Sequence, residues 1–173
     1  MLKFKFGKGV DKKIQALVKD LPKNGNVLDL GSGLGSNGIF LVEQGFKVTC
    51  LDKDKEVIEK IKKEYPEINA LNKDILEFDF PENKYDLIIA RAVLHIFELK
   101  DVRMIIDKVI KSLKNNGLFY LSVFKNDHFF NKEKLEEYFS SNQILEIEDD
   151  VIKDNHSPEG EHIHKVIKVL VRK

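Results

Sequence analysis

Three glycines alternate along one short segment of the chain, just after an acidic residue. The segment 27–36 reads VLDLGSGLGS, with glycines at positions 31, 33 and 35. Gly31 and Gly33 let the backbone turn sharply and approach a ligand, since no Cβ stands in the way. A strand-type run precedes the segment and a helix-type run follows it, which is the context that nucleotide-binding loops require. The alternative is a tight turn without a ligand.

Three aspartates lie in or beside the strand-type runs. Asp29 stands two residues before Gly31, where its carboxylate would repel a pyrophosphate and hold an ammonium group. Asp52 follows Gly31 by 21 residues, a position from which an acid accepts hydrogen bonds from both hydroxyls of a ribose. A helix cap is the alternative for Asp52. Asp74 would accept from an adenine amine with Ile75 packed on the base, or it is a simple turn aspartate.

An arginine and a histidine follow the fourth strand-type run, and both are candidate catalytic residues. His95 is the best single candidate for a general base or a substrate contact, and the alternative is a histidine that only packs or caps. Arg91 would bind an anionic substrate or a ligand carboxylate, and the alternative is a surface arginine.

A second group of histidines lies near the end of the chain. His162 and His164 are two residues apart on a predicted strand and therefore share a face, and His156 precedes them in a polar segment. Imidazoles with neighbouring glutamates can bind a transition metal, but the spacing matches no tight structural-zinc pattern. We therefore expect no metal site, and these three histidines are only weak candidates for one.

Alternating strands and helices must position these residues. Five strand-type runs alternate with helix-type runs, and two more strands follow, separated by a polar loop over 153–161 that is too short for a helical crossover. The last two strands are therefore expected to be antiparallel in a doubly wound, mostly parallel α/β sheet. In such sheets ligands bind at the carboxyl ends of the strands. The predicted crevice lies among the loops 31–37, 52–54, 74–76 and 91–97.

Composition limits the classes of partner and of compartment. The chain has 173 residues, which fits a single domain over 1–173, and its 29 basic residues balance 29 acidic ones. A dedicated nucleic-acid binder usually carries a basic excess, so we expect no nucleic-acid partner. No apolar run is long enough to span a membrane. With one cysteine and no signal-type N-terminus, the chain is expected in the cytoplasm, and its oligomeric state is not predicted.

Four segments together resemble the class I S-adenosylmethionine-dependent methyltransferases. They are VLDLGSGLG at 27–35, LDKD at 51–54, NKDI at 72–75 and YDLIIA at 85–90. That family has a seven-stranded sheet whose seventh strand inserts antiparallel between strands five and six. The segment EQGFKVT at 43–49 and the late strands are similar to the tellurite-resistance methyltransferases. That group carries an arginine just after the glycine loop, where this chain has Ser36-Asn37.

The resemblance implies S-adenosylmethionine as cofactor and a role for each matched residue. Asp29, Gly31 and Gly33 would surround the methionine moiety. Asp52 would bind the ribose, Lys53 would lie by the adenine, and Asp74 with Ile75 would fix the adenine. The loop at Ala90–Arg91 would close over the carboxylate side of the cofactor.

The acceptor is expected to be a small molecule. The segment after strand four lacks the N-P-P-[YFW] pattern that suggests methylation of an amide or exocyclic amine, and reads Ala90-Arg91-Ala92-Val93. A soft nucleophile such as a thiol or a chalcogen oxyanion fits, and it needs no general base. The alternatives are a non-catalytic S-adenosylmethionine-binding protein and an NAD-dependent oxidoreductase, although Asp29 and Ser36 count against the latter.

Overall fold

A computed structural model describes residues 9–126, 129–157 and 160–173, without the side chains of 152–162. The helices are α1 Lys12–Leu17, α2 Ser36–Glu43, α3 Lys55–Glu64, α4 Leu99–Ser112 and α5 Lys132–Tyr138. Single 3₁₀ turns cover Val18–Asp20 and Leu94–Ile96. The strands are β1 Asn26–Leu30, β2 Lys47–Asp52, β3 Asn69–Asn72, β4 Tyr85–Arg91, β5 Leu113–Phe124, β6 Gln143–Ser157 and β7 Gly160–Arg172.

The seven strands form one sheet in the order β3-β2-β1-β4-β5-β7-β6. The first five are parallel to one another, whereas β7 lies antiparallel between β5 and β6. The predicted doubly wound sheet with its antiparallel pair is therefore confirmed. Strands β1 to β3 are added towards one edge of the sheet and β4 and β5 towards the other, so the strand order reverses between β1 and β4, where Leu30 is paired with Ala90. The loops that leave these two strands consequently start side by side, at the switch point where such folds bind ligands.

Apolar side chains cover both faces of the sheet. Successive residues of a strand point to opposite faces, and β4 accordingly sends Leu87 and Ile89 into one buried cluster and Ile88 into the other. The amphipathic helix α4 buries Val102 and Ile105 on the second of these faces. Both faces of β4 are thus packed, as expected of a central parallel strand. The strand ends that carry the polar residues are held by this core.

The last two strands are longer than the sequence predicts. The polar segment 153–161 was expected to be a loop, but β6 continues to Ser157 and β7 begins at Gly160. The prediction of a loop is wrong because backbone pairing of an antiparallel ladder does not need apolar side chains. The ladder extends past the end of β5, whose last residue Phe124 is paired with Val166.

None of the helices in the described part of the chain combines the length and the apolar character that a bilayer span requires.

Candidate functional site

The glycine loop between β1 and α2 has a backbone that other residues would adopt only with strain. Gly31, Gly33 and Gly35 all have left-handed φ angles, of 64°, 51° and 76°. A Cβ added at Gly31 would stand 2.5 Å from Cγ2 of Val93, whereas one added at Gly33 would meet nothing within 4 Å. Gly31 is therefore needed for close packing against the loop after β4, and Gly33 leaves open space in front of the loop.

We expect Gly31→Ala to destabilise the protein more than Gly33→Ala. Both substitutions incur the left-handed strain of about 1–2 kcal/mol, but only the first drives a methyl group into Val93, which adds about 1–3 kcal/mol of overpacking. Urea denaturation of the two variants measures the difference. Equal midpoints would contradict the close packing of Gly31 on Val93.

The carboxylate of Asp52 connects the end of β2 to the glycine loop. The N–H of Gly33 donates to Oδ2 of Asp52 over 2.8 Å, and the N–H of Asp54 donates to Oδ1 over 2.9 Å. Sequence reasoning placed Asp52 beside the loop but missed that it also holds the loop in shape. Asp54 in turn caps α3 by accepting from the N–H groups of Glu56 and Val57.

A cavity of about 230 Å³ opens where these loops meet. It is lined by Gly31, Asp52, Lys53, Lys73, Asp74, Ile75, Ala92, Val93, Ile96 and Phe97. Its polar residues come from the ends of β2 and β3, while most of its apolar wall comes from the segment after β4. The structure therefore brings the loops of the predicted crevice together. Asp74 closes its own turn by accepting from the N–H of Leu76 over 2.9 Å.

The wall after β4 comes from the predicted loop 91–97 and does not include Ala90. Ala90 is fully buried inside β4, and Ala92 and Val93 line the cavity in its place. Ala92 has a left-handed φ of 53° and donates its N–H to the carbonyl oxygen of Ser122 over 2.7 Å. A non-glycine residue in this conformation stores strain, which the pairing with β5 holds in place.

Asp29 lies beneath the glycine loop, with only 2% of its surface exposed. Its Oδ2 is buried and has no hydrogen-bond partner among the described residues. Burial raises the pKa of Asp29 to about 7, Arg91 acts to lower this pKa and Asp52 to raise it further, while a hydrogen bond from the backbone of Gly38 also acts to lower it. An unsatisfied buried carboxylate is costly, and a cationic ligand group would relieve it. Asp29 is not among the described residues that line the cavity.

Arg91 is not a freely exposed arginine. Its Nε lies 3.4 Å from Oδ2 of Asp11, and the two side chains are 22% and 8% exposed. The hydroxyl of Tyr120 donates to the same oxygen over 3.1 Å. Asp11 was missed in the sequence, where it resembles an ordinary helix cap. It does cap α1 as well, by accepting from the N–H of Lys13.

The structure brings His95 and His164 together around Phe124, although they lie far apart in the sequence. The ring centroid of Phe124 is 4.2 Å from that of His95 and 4.7 Å from that of His164. Burial lowers the pKa of His95, and so does the proximity of His164. Nδ1 of His95 is buried without a hydrogen-bond partner in the described part of the chain. Both effects favour the neutral imidazole, which belongs to the segment 92–97 but is not among the described residues that line the cavity.

The three histidines that are weak candidates for a metal site are His156, His162 and His164. The side chains of His156 and His162 lie outside the described residues. Among the side chains that are described, no three histidine, cysteine, aspartate or glutamate residues group as metal ligands.

Comparison with known sequences gives one family and several relatives. Residues 2–167 match the family described as Methyltransferase domain. The small subunit ribosomal RNA methyltransferase A of Malacoplasma penetrans is 32% identical over 48% of this chain and 30% of its own length. The phosphoethanolamine N-methyltransferase of Plasmodium falciparum is 33% identical over 57% of this chain and 38% of its own length. The matches thus span about a third of each curated relative.

Comparison with solved structures supports the fold. TehB of Haemophilus influenzae superimposes with a TM-score of 0.85 and 24% identity, covering 99% of this chain and 64% of that protein. Two further methyltransferases of similar fold were solved with S-adenosylhomocysteine bound. The resemblance to the fold of a tellurite-resistance-type methyltransferase is confirmed.

Proposed function

We propose that this chain, which belongs to the methyltransferase domain family, transfers a methyl group from S-adenosylmethionine to a small molecule at the switch-point crevice. The single observation that carries this proposal is the joint placement of Gly31, Asp52 and Asp74 around one cavity. The acceptor would approach from the wall formed by residues 92–97.

The described residues fit this cofactor. The orphaned Oδ2 of Asp29 offers an anionic partner for the ammonium of the methionine part. The space in front of Gly33 leaves the loop backbone accessible to the ligand. Asp52 would bind the ribose, since each of its oxygens has a lone pair beyond the hydrogen bond it already accepts. Lys53, Asp74 and Ile75 would hold the adenine end.

When bound, S-adenosylmethionine supplies an electrophilic methyl group on a sulfonium centre, which an in-line nucleophile displaces. The residues of this chain orient the two reactants and exclude water. The apolar wall from Val93, Ile96 and Phe97 would keep the reacting atoms dry. An acceptor that bears a proton would give it to the neutral imidazole of His95. A thiolate or a reduced chalcogen would need no such base.

The ribose role of Asp52 predicts a defined loss of affinity. We expect Asp52→Ala to weaken S-adenosylhomocysteine binding tenfold or more, since a charged hydrogen bond contributes about 1.5–3 kcal/mol and the tether to Gly33 is lost as well. Isothermal titration calorimetry measures the change. Asp54→Ala is the matched control, because Asp54 caps α3 and is not among the described residues that line the cavity. Unchanged affinity in a folded Asp52→Ala variant would remove Asp52 from the site.

Several features support a small-molecule acceptor rather than RNA, although some curated relatives are ribosomal RNA methyltransferases. The chain has no net charge, so it lacks the basic excess that RNA-binding enzymes use. The cavity wall beside the expected methyl group is apolar and concave. The segment after β4 also lacks the N-P-P-[YFW] pattern.

A methyl-transfer assay tests the acceptor class. The protein is incubated with methyl-labelled S-adenosylmethionine and with small thiols, selenium and tellurium oxyanions and their reduced forms, ethanolamine-type amines, or ribosomal RNA. We expect label to pass to at least one small molecule and not to RNA. Transfer to RNA alone would overturn the proposal. Tight cofactor binding without transfer to any acceptor would instead favour a non-catalytic cofactor-binding protein.

A further inference from the structure

Arg91 and Asp11 form an ion pair that the proposed catalytic scheme does not use, and Arg91 directly precedes the cavity-lining residues Ala92 and Val93. Arg91 is the last residue of β4, and Asp11 immediately precedes α1. The pair shares a single oxygen, Oδ2 of Asp11, with the hydroxyl of Tyr120. Both side chains are mostly buried. Withdrawing two charges from water is costly, so a pair at this position calls for a functional reason.

The sheet register places Arg91 on the same face as Asp29. Asp29 is paired with Ile89, and Arg91 lies two residues beyond Ile89 on the same strand. Residues paired in register, and residues two apart on a strand, point to the same face of a sheet. Tyr120 is paired with Ile89 on the other side and shares this face too. The guanidinium and the carboxylate therefore lie on one face, and they are close enough for Arg91 to act on the pKa of Asp29.

A cation next to an anion matches the two charges of an α-amino acid. If Asp29 takes the ammonium, as proposed above, the carboxylate on the same carbon must find a partner close by. The guanidinium of Arg91 is well suited, since its five N–H donors match the planar geometry of a carboxylate. In the structure that guanidinium already faces a carboxylate, the one on Asp11.

We propose that Asp11 is an internal carboxylate that competes with the α-carboxylate of the cofactor for the guanidinium of Arg91. This inference rests on the proposed function. The Asp11 side chain offsets the charge of Arg91 in the ligand-free protein. Binding must displace or share this contact, so that the measured affinity is lower than the site alone would give. Asp11 thereby connects the position of α1 to occupancy of the crevice.

A pair of ligands that differ only in the carboxylate tests the proposal. S-adenosylhomocysteine carries it, and the decarboxylated analogue S-adenosyl-3-thiopropylamine keeps the ammonium but lacks it. We expect the wild-type protein to prefer the first ligand in calorimetric titrations. Asp11→Asn should tighten the first about five- to tenfold and the second less than twofold. Asparagine is as good a helix cap as aspartate, so α1 is preserved.

Arg91 variants complete a double-mutant cycle. Arg91→Met should remove most of the preference for the carboxylate ligand, and adding Asp11→Asn to it should have no further effect on the preference. The double variant also leaves no unpaired buried charge, which guards against misfolding of Arg91→Met. Glu148→Gln controls for charge alone, since Glu148 acts on the pKa of Tyr120 and is not paired with Arg91.

Several results would overturn the inference. An unchanged or weaker preference in Asp11→Asn would show that Asp11 does not compete for Arg91. If the Asp11→Asn effect persisted in the Arg91→Met background, or if Glu148→Gln had an equal effect, the change in affinity would come from the altered net charge and not from competition for Arg91. Failure of both ligands to bind the wild-type protein would instead overturn the proposed function and this inference with it. Binding of both ligands with equal affinity would leave the proposed function intact and refute the inference alone.

Discussion

Asp29→Asn is expected to stabilise the ligand-free protein above pH 7 and to weaken S-adenosylhomocysteine binding about 100-fold. Burial raises the pKa of Asp29 from 3.8 to about 7 in the folded protein. The folded state therefore binds more protons than the unfolded chain between these values, and stability falls as the pH rises through this window. Above pH 7 the ionised carboxylate costs roughly 2–4 kcal/mol. Asparagine has no such cost, since it does not ionise.

The loss of affinity has the same source as the gain in stability, because the ionised carboxylate that destabilises the free protein is the group that would bind the ligand. In the complex the ammonium of the ligand would pair with the ionised carboxylate of Asp29. Such a charge-assisted contact in a buried site contributes about 3 kcal/mol to binding, or roughly 100-fold in affinity. Urea denaturation at pH 5 and pH 8, together with calorimetry at pH 8, measures both effects. The stability difference between the two proteins should be clearly smaller at pH 5 than at pH 8, because the loss begins near pH 3.8 and is complete only above pH 7, and this change with pH provides the internal control. A stability difference that does not change with pH would refute the buried titrating carboxylate.

The second large effect is expected on the rate. For an acceptor that must lose a proton, His95→Ala should lower kcat about 100-fold while changing S-adenosylhomocysteine affinity less than twofold. Burial and the nearby His164 lower the pKa of His95, so its imidazole is already neutral at pH 7. The acid limb of the wild-type pH–rate profile should therefore lie below pH 6.5. Steady-state kinetics from pH 5 to pH 8 measures both quantities.

A matched variant separates the chemistry of His95 from packing around Phe124. His164→Phe keeps an aromatic ring beside Phe124 and should retain most of the activity. A normal rate in His95→Ala would show that the acceptor needs no base, as expected of a thiolate or a reduced chalcogen. An equal loss in both variants would instead point to a structural role for the whole aromatic group.

The sheet and its switch point could be predicted from the sequence because they depend on local patterns. Apolar runs such as YDLIIA at 85–90 predict buried strands, and the glycines after β1 predict the tight turn that follows this strand. The position of Asp52 at the end of β2 follows from the same patterns. Its hydrogen bond to the N–H of Gly33 does not, because it depends on how two loops distant in sequence meet.

The remaining features depend on tertiary contacts. His164 reaches Phe124 and the vicinity of His95 only because β7 inserts beside β5. Asp11 meets Arg91 only because α1, which buries Ile14 and Leu17 in the core on this face of the sheet, brings Asp11 close to β4. The length of β6 and β7 was underestimated because a ladder of backbone hydrogen bonds extends through polar residues without a periodic apolar signal.

The most direct test of the central claim is calorimetric titration of the wild-type protein with S-adenosylmethionine, S-adenosylhomocysteine and NADH. The crevice described above predicts micromolar binding of the first two ligands and none of NADH, since Asp29 would repel a pyrophosphate near the glycine loop. Binding of NADH in preference to S-adenosylmethionine, or binding of none of the three, would contradict the assignment of this crevice to the methyl donor.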